Sequence, residues 1–168
     1  MNNKIGDSLF HVGSNEELIR AFVASNVEFV VIGGLAVAWY CADRQADDMD
    51  LLINPTLENS TRISQSLISL KMQGFESNSF TKLGLQVPLK QFYYAELLTP
   101  QKDGLTYSEV TSDALEAKLF NIPVKLASAA SLIRLKEHAV TSANEQAQKH
   151  LDDIKRLRRY SVLLCSAQ

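Results

Sequence analysis

Cysteine is nearly absent from this chain. Cys41 and Cys165 are the only two in 168 residues, and no His or Cys stands at metal-ligand spacing from either. That excludes a disulfide framework, a zinc cluster and a CxxC redox pair, and it fits a reducing compartment. Long apolar runs are missing too. No stretch reaches the length needed to cross a bilayer, and "MNNKIGDSLFHVG" lacks the apolar centre of an export signal. The expected location is therefore cytoplasmic. Charge of one sign is also missing. With 17 Lys and Arg against 19 Asp and Glu, the net charge of −2 argues against general coating of nucleic acid. No Pro/Gly-rich linker, internal repeat or low-complexity tract divides the sequence. Residues 1–168 are read as one domain, with a core over 14–126 and C-terminal helices over 128–163. An apolar share of 46% supplies enough core for it.

What is present is an alternation of helical and strand-like segments. "SNEELIRAFVASN" predicts a helix with Ser14 as N-cap, Glu17 completing a capping box, and Leu18, Phe22 and Val23 as its apolar stripe. "VEFVVIG" predicts a buried strand stopped by glycine, and "LAVAWYCA" a short helix starting at Gly34. "DMDLLIN" predicts a second strand, and "ENSTRISQSLISLKMQG" a helix closed by Gly74. "KQFYYAELLTP" predicts a third strand. "EAKLFNIPVKLA" predicts two strands turning near Asn121, and two helices complete the chain. Residues 76–90 fit strand or loop. The order implies an α/β (α+β) architecture, a small mixed sheet covered by helices.

The chemistry gathers in "VVIGGLAVAWYCADRQADDMDLLINP", where Asp47, Asp48 and Asp50 stand against an apolar strand. Residues i and i+2 of a strand face the same way, so Asp48 and Asp50 project together and Asp47 points elsewhere. Two like charges held together are costly to bury, and a divalent cation relieves them. An isolated Asp-x-Asp is more often a solvated acidic turn. Here, one short helix away, Gly33-Gly34 closes a strand and opens a helix, where backbone can approach a phosphate.

That combination, apolar residues, Gly-Gly, about a dozen residues, then Asp-apolar-Asp-apolar, resembles the signature of the polymerase-β-type nucleotidyltransferase superfamily. Its small bacterial branch related to AbiEii-type toxins often reads Arg-x-Thr-x-Asp-Ile-Asp-Leu, against Arg44-Gln45-Ala46-Asp47-Asp48-Met49-Asp50-Leu51 here. "IPVKLASAASLIRLKEHA" and "HLDDIKRL" resemble later segments of the same branch, so the likeness runs over residues 14–160. It implies transfer of an NMP from a nucleoside triphosphate to a hydroxyl, with two Mg²⁺ ions on three carboxylates: Asp48, Asp50 and, on a neighbouring strand, Glu96. Gly33 and Gly34 would cradle the triphosphate, and Arg44 and Lys136 are candidates to hold phosphate. For both cations an ordinary structural role weighs equally. Three positions depart from the usual pattern: Leu35 follows Gly-Gly where serine is common, Ala46 replaces threonine, and Glu96 replaces aspartate. The resemblance leaves the acceptor open among a tRNA end, a protein and a small molecule. It also implies a toxin–antitoxin setting with an antitoxin partner. A catalytically inactive nucleotide- or partner-binding module of the same fold is the alternative. His11, His138 and His150 show no ligand spacing. The basic C-terminal helix, with Asp152 and Asp153 interleaved, reads as a solvated face.

Overall fold

A run of four buried residues, Phe29–Ile32 (β2), forms a central strand, because β-branched and aromatic side chains suit a pleated surface covered on both sides. The computed structural model describes residues 4–5, 15–90, 92–142 and 145–166. Around β2 a seven-stranded sheet is built in the order β1-β6-β7-β2-β3-β5-β4. The other strands are β1 (Lys4–Ile5), β3 (Met49–Ile53), β4 (Gln86–Pro88), β5 (Ala95–Leu98), β6 (Leu115–Leu119) and β7 (Ile122–Leu126). The sheet is mixed. β2 and β3 run antiparallel, while β3 with β5 and β2 with β7 run parallel. Helices α1 (Asn15–Ala24), α2 (Gly33–Tyr40), α3 (Leu57–Ser69), α4 (Tyr107–Ser112), α5 (Ala129–Ser142) and α6 (Ala147–Ser166) complete the mixed α/β architecture that the sequence predicts. Among the described residues no helix is long and apolar enough to cross a membrane.

Several boundaries differ from the sequence reading. Ser14 lies outside the described residues. The α1 stripe is Leu18, Ile19 and Phe22, whereas Val23 is 38% exposed. The spacing i, i+1, i+4 puts Ile19 and not Val23 on the inner face. α2 begins at Gly33, one residue earlier than expected. α3 ends at Ser69 and not at Gly74, because Lys71 takes the left-handed conformation (φ 64°). The amides of Lys71 and Met72 then bond back to the carbonyls of Ile68 and Leu67, the closure usually made with glycine. The expected strand over residues 90–99 shrinks to β5. Phe92 and Tyr93 both donate to the Leu89 carbonyl, which makes a turn there. Phe92 and Tyr94 therefore lie outside the strand and do not share a strand face with Glu96. The β6–β7 hairpin turns at Phe120 (φ 53°) and Asn121 (φ 61°), as predicted. α4 was not foreseen, although Thr106 and Glu109 form a full capping box at its start.

Candidate active site

The candidate site begins where β2 hands over to α2. Ile32, the last residue of β2, pairs with Asp50 of β3, so the Gly33-Gly34 turn lies beside that aspartate. Gly33 is required twice over. Its φ of +69° is one that L side chains rarely adopt, and a Cβ there would come within 1.8 Å of Asp50 Oδ2. At Gly34 an added Cβ would stand 2.9 Å from Arg44 Nη2, the movable end of a side chain.

On its other edge β3 pairs in parallel with β5, and Asp50 stands directly beside Glu96. Asp48 precedes β3 by one residue and is half-buried, while Asp47 is exposed. Burial first, then the charges of Asp48 and Glu96, push the Asp50 carboxyl up to about 7, against the opposing pull of Lys136 and Lys149. Glu96 Oε2 accepts a hydrogen bond from Gln86 Nε2 at 2.8 Å across the β4–β5 ladder. Among the described residues no three acidic, His or Cys side chains are already gathered tightly enough to hold an ion.

The two expected phosphate-binding cations stand beside this turn and these acids and both pair with Asp153 of α6. Arg44 Nε donates to Asp153 Oδ1 at 2.8 Å, and Arg44 also donates to the Gln45 carbonyl. Lys136 Nζ lies 2.8 Å from Asp153 Oδ2, in ion-pair rather than well-directed hydrogen-bond geometry. Asp153 is only 1% exposed and Lys136 7%. Although burial pushes the Asp153 carboxyl up, the Arg44 hydrogen bond and Lys136 hold it below its ordinary value. Arg156 adds a third cation at 3.7 Å. This centre pins α6 to α5 and to the loop after α2. It was missed because Asp153 reads, beside Asp152, as part of a solvated charged face. The usable signal was spacing, since His150, Asp153, Leu157 and Tyr160 recur on one stripe of α6 and Leu157 is fully buried. Tyr160 meets Tyr40 edge-on at 5.2 Å, and Tyr40 donates to the Ala127 carbonyl at 2.9 Å, so this aromatic pair braces the same helix junction.

No family model and no curated protein matches the chain. Several solved structures do, the following two among them. An antigenic nucleotidyltransferase-like protein from Paracoccidioides brasiliensis is 19% identical, with a TM-score of 0.55 over 86% of this chain and 74% of its own. ANT(2")-Ia, solved in complex with adenylyl-2"-tobramycin, is 15% identical, with a TM-score of 0.58 over 90% of this chain and 93% of its own. The mixed sheet with its flanking helices and C-terminal helix pair is thus a nucleotidyltransferase-like fold.

Proposed function

We propose that the protein is a nucleotidyltransferase that moves an NMP from a nucleoside triphosphate to a hydroxyl acceptor. The observation that carries this is the pairing of Asp50 with Glu96 on adjoining strands, Asp48 just ahead of the first, next to Gly33, where no side chain fits. A cluster of like charges with one carboxyl pushed up to about 7 is short of a positive partner. All its donors are oxygens, the ligand chemistry of Mg²⁺. Asp48, Asp50 and Glu96 would hold the two ions, with Glu96 exchanging its hydrogen bond to Gln86 for a share of metal. Bound Mg²⁺ would supply charge neutralisation on phosphate and a lowered pKa for the attacking hydroxyl. Gly33 and Gly34 let phosphate oxygens approach the backbone. Arg44 and Lys136 have donors beyond those facing Asp153, so each can contribute to a triphosphate without leaving it.

A small hydroxyl-bearing molecule is the acceptor class we favour over a tRNA end or a protein. The support is the likeness to ANT(2")-Ia, whose structure contains a nucleotidylated small molecule, over nearly the whole of both chains. The resemblance to AbiEii-type toxins adds a toxin role held in check by an antitoxin. Induced expression that leaves growth unchanged would remove that addition.

The test of the main reading is incubation with Mg²⁺, four α-labelled nucleotides and, separately, aminoglycosides, total RNA and cell protein. Label on an acceptor with wild type, and none with Asp48→Asn or Asp50→Asn, is the expected result. The rival reading, a module that binds nucleotide and transfers nothing, is favoured by the engagement of Glu96 with Gln86. It predicts nucleotide affinity without label on any acceptor, and an unchanged result in Glu96→Gln.

A further inference from the structure

The strands that carry the three acids meet at one carbonyl. Tyr94 O accepts a backbone hydrogen bond of 2.9 Å from Met49, the residue between Asp48 and Asp50. The same oxygen accepts 3.2 Å from Nδ2 of Asn15, the first residue of α1. Two residues beyond Tyr94 stands Glu96. A single acceptor thus joins the aspartate strand, the glutamate strand and a helix from the other end of the sequence.

Asn15 is fully buried. An amide is a costly occupant of a core unless its hydrogen bonds hold something in place. Two residues on, Glu17 accepts a hydrogen bond of 3.2 Å from the buried Tyr93 hydroxyl. The first turn of α1 therefore grips two consecutive residues just ahead of β5. That part of the chain is a turn, outside the β3–β5 ladder that begins at Met49 and Ala95. The Met49 amide ties the Tyr94 carbonyl to β3, and the Asn15 amide ties the same carbonyl to α1, so the entry of β5 is held from two sides.

We propose that Asn15 is a positioning residue. Through the Tyr94 carbonyl it sets the separation between Asp48 and Asp50 on one strand and Glu96 on the next, and so the span of the cation site. The inference rests on the functional reading above, because it gives those acids a shared ion to hold. Asn15 itself touches neither ion nor substrate. Partners that orient ligands in this way are worth about ten- to a hundredfold in metal affinity.

The test compares wild type with Asn15→Leu, of similar size without the amide, and Asn15→Ser, a milder loss. Both are first checked for folding by circular dichroism. Three quantities are read: the affinity for Mn²⁺ alone by electron paramagnetic resonance, the exchange rate of the Met49 amide, and the split between kcat and nucleotide KM. The expected result is about tenfold weaker Mn²⁺ binding, faster exchange at Met49, and a fall in kcat with KM within about twofold. A purely structural amide would lower the melting temperature and leave Mn²⁺ affinity and kcat of the folded protein unchanged, which overturns the proposal. So does failure of both variants to fold, since Asn15 would then belong to the core alone. A wild type that binds Mn²⁺ but labels no acceptor defeats the enzyme reading, while the Mn²⁺ ratio still decides the role of Asn15. A wild type that binds no Mn²⁺ defeats both.

Discussion

Two charge clusters lie close together in this protein and are built on opposite plans. Asp48, Asp50 and Glu96 bring like charges onto neighbouring strands, and the strain appears in the raised Asp50 carboxyl. Arg44, Lys136 and Asp153 bring opposite charges together inside the fold, and the Asp153 carboxyl falls below its ordinary value. The second cluster satisfies itself and belongs to the architecture. The first keeps an excess of negative charge, and Asp50 holds its proton up to about 7 in answer. Burial alone does not separate the two; the sign of the neighbours does.

The largest effect expected from breaking this contrast comes from the matched cluster. Asp153→Asn strands two buried cations and should cost about 3–5 kcal/mol in urea unfolding. Replacing Arg44, Lys136 and Asp153 together by apolar residues of similar size should recover most of that loss, because no unpaired charge remains. A single variant as stable as wild type would show the centre to be ornamental.

The unmatched cluster should respond with the opposite sign. In the metal-free protein the folded-state Asp50 carboxyl lies at about 7, above its ordinary 3.8. The native state therefore keeps a proton that the unfolded chain has lost, and stability falls as pH rises through that window. Asp50→Asn removes the titration. It should raise stability at pH 8 by about 4 kcal/mol relative to wild type, at roughly 1.4 kcal/mol per pKa unit, with the gain fading below about pH 4. Thermal unfolding at pH 4, 6 and 8 measures it, and a gain independent of pH would contradict the assignment. Saturating Mg²⁺ should shrink the gap by stabilising wild type alone.

Gly33→Ala sharpens the comparison at the border of the acid cluster. It should cost about 2 kcal/mol from the left-handed backbone and the overlap with Asp50 together. Adding Asp50→Gly, which removes the Asp50 Cβ 2.7 Å from the new one as well as the carboxyl, should return the overlap part, so a double-mutant cycle separates the two costs. Smallest is Glu96→Gln, expected to move stability by about 0.5 kcal/mol or less, as for a surface polar change, while abolishing transfer. A large stability change there would make Glu96 a structural residue.

Much of this was readable beforehand. The β2 and β3 runs, the hairpin at Asn121 and the Gly-Gly/Asp-x-Asp spacing announce themselves through apolar period and turn chemistry, which are local. The pairing of Glu96 with the aspartate strand is not local, and only the family resemblance implies it. What stayed hidden depends on partners distant in sequence. Lys71 gives no sign that it will close α3, because lysine seldom adopts that conformation and Gly74 offered a better-looking stop. Asp153 gives no sign of its depth beyond the stripe it shares with His150, Leu157 and Tyr160, because only Arg44 and Lys136 make burial tolerable. Asn15 looks like an ordinary helix-start residue until the Tyr94 carbonyl arrives beside it.

The span of the Arg44–Asp153 bond, 109 residues, also orders events in time. The residues of β2, α2 and β3 leave the ribosome long before Asp153 does. Until α6 arrives, Arg44 and Lys136 have no buried anion to face and must stay in water, which holds the C-terminal helices off the sheet. The contacts that seal the charged interior are thus expected to form last. Folding of this protein should end in a slow, salt-sensitive docking of α6, separable from an earlier formation of the strands that carry the acids.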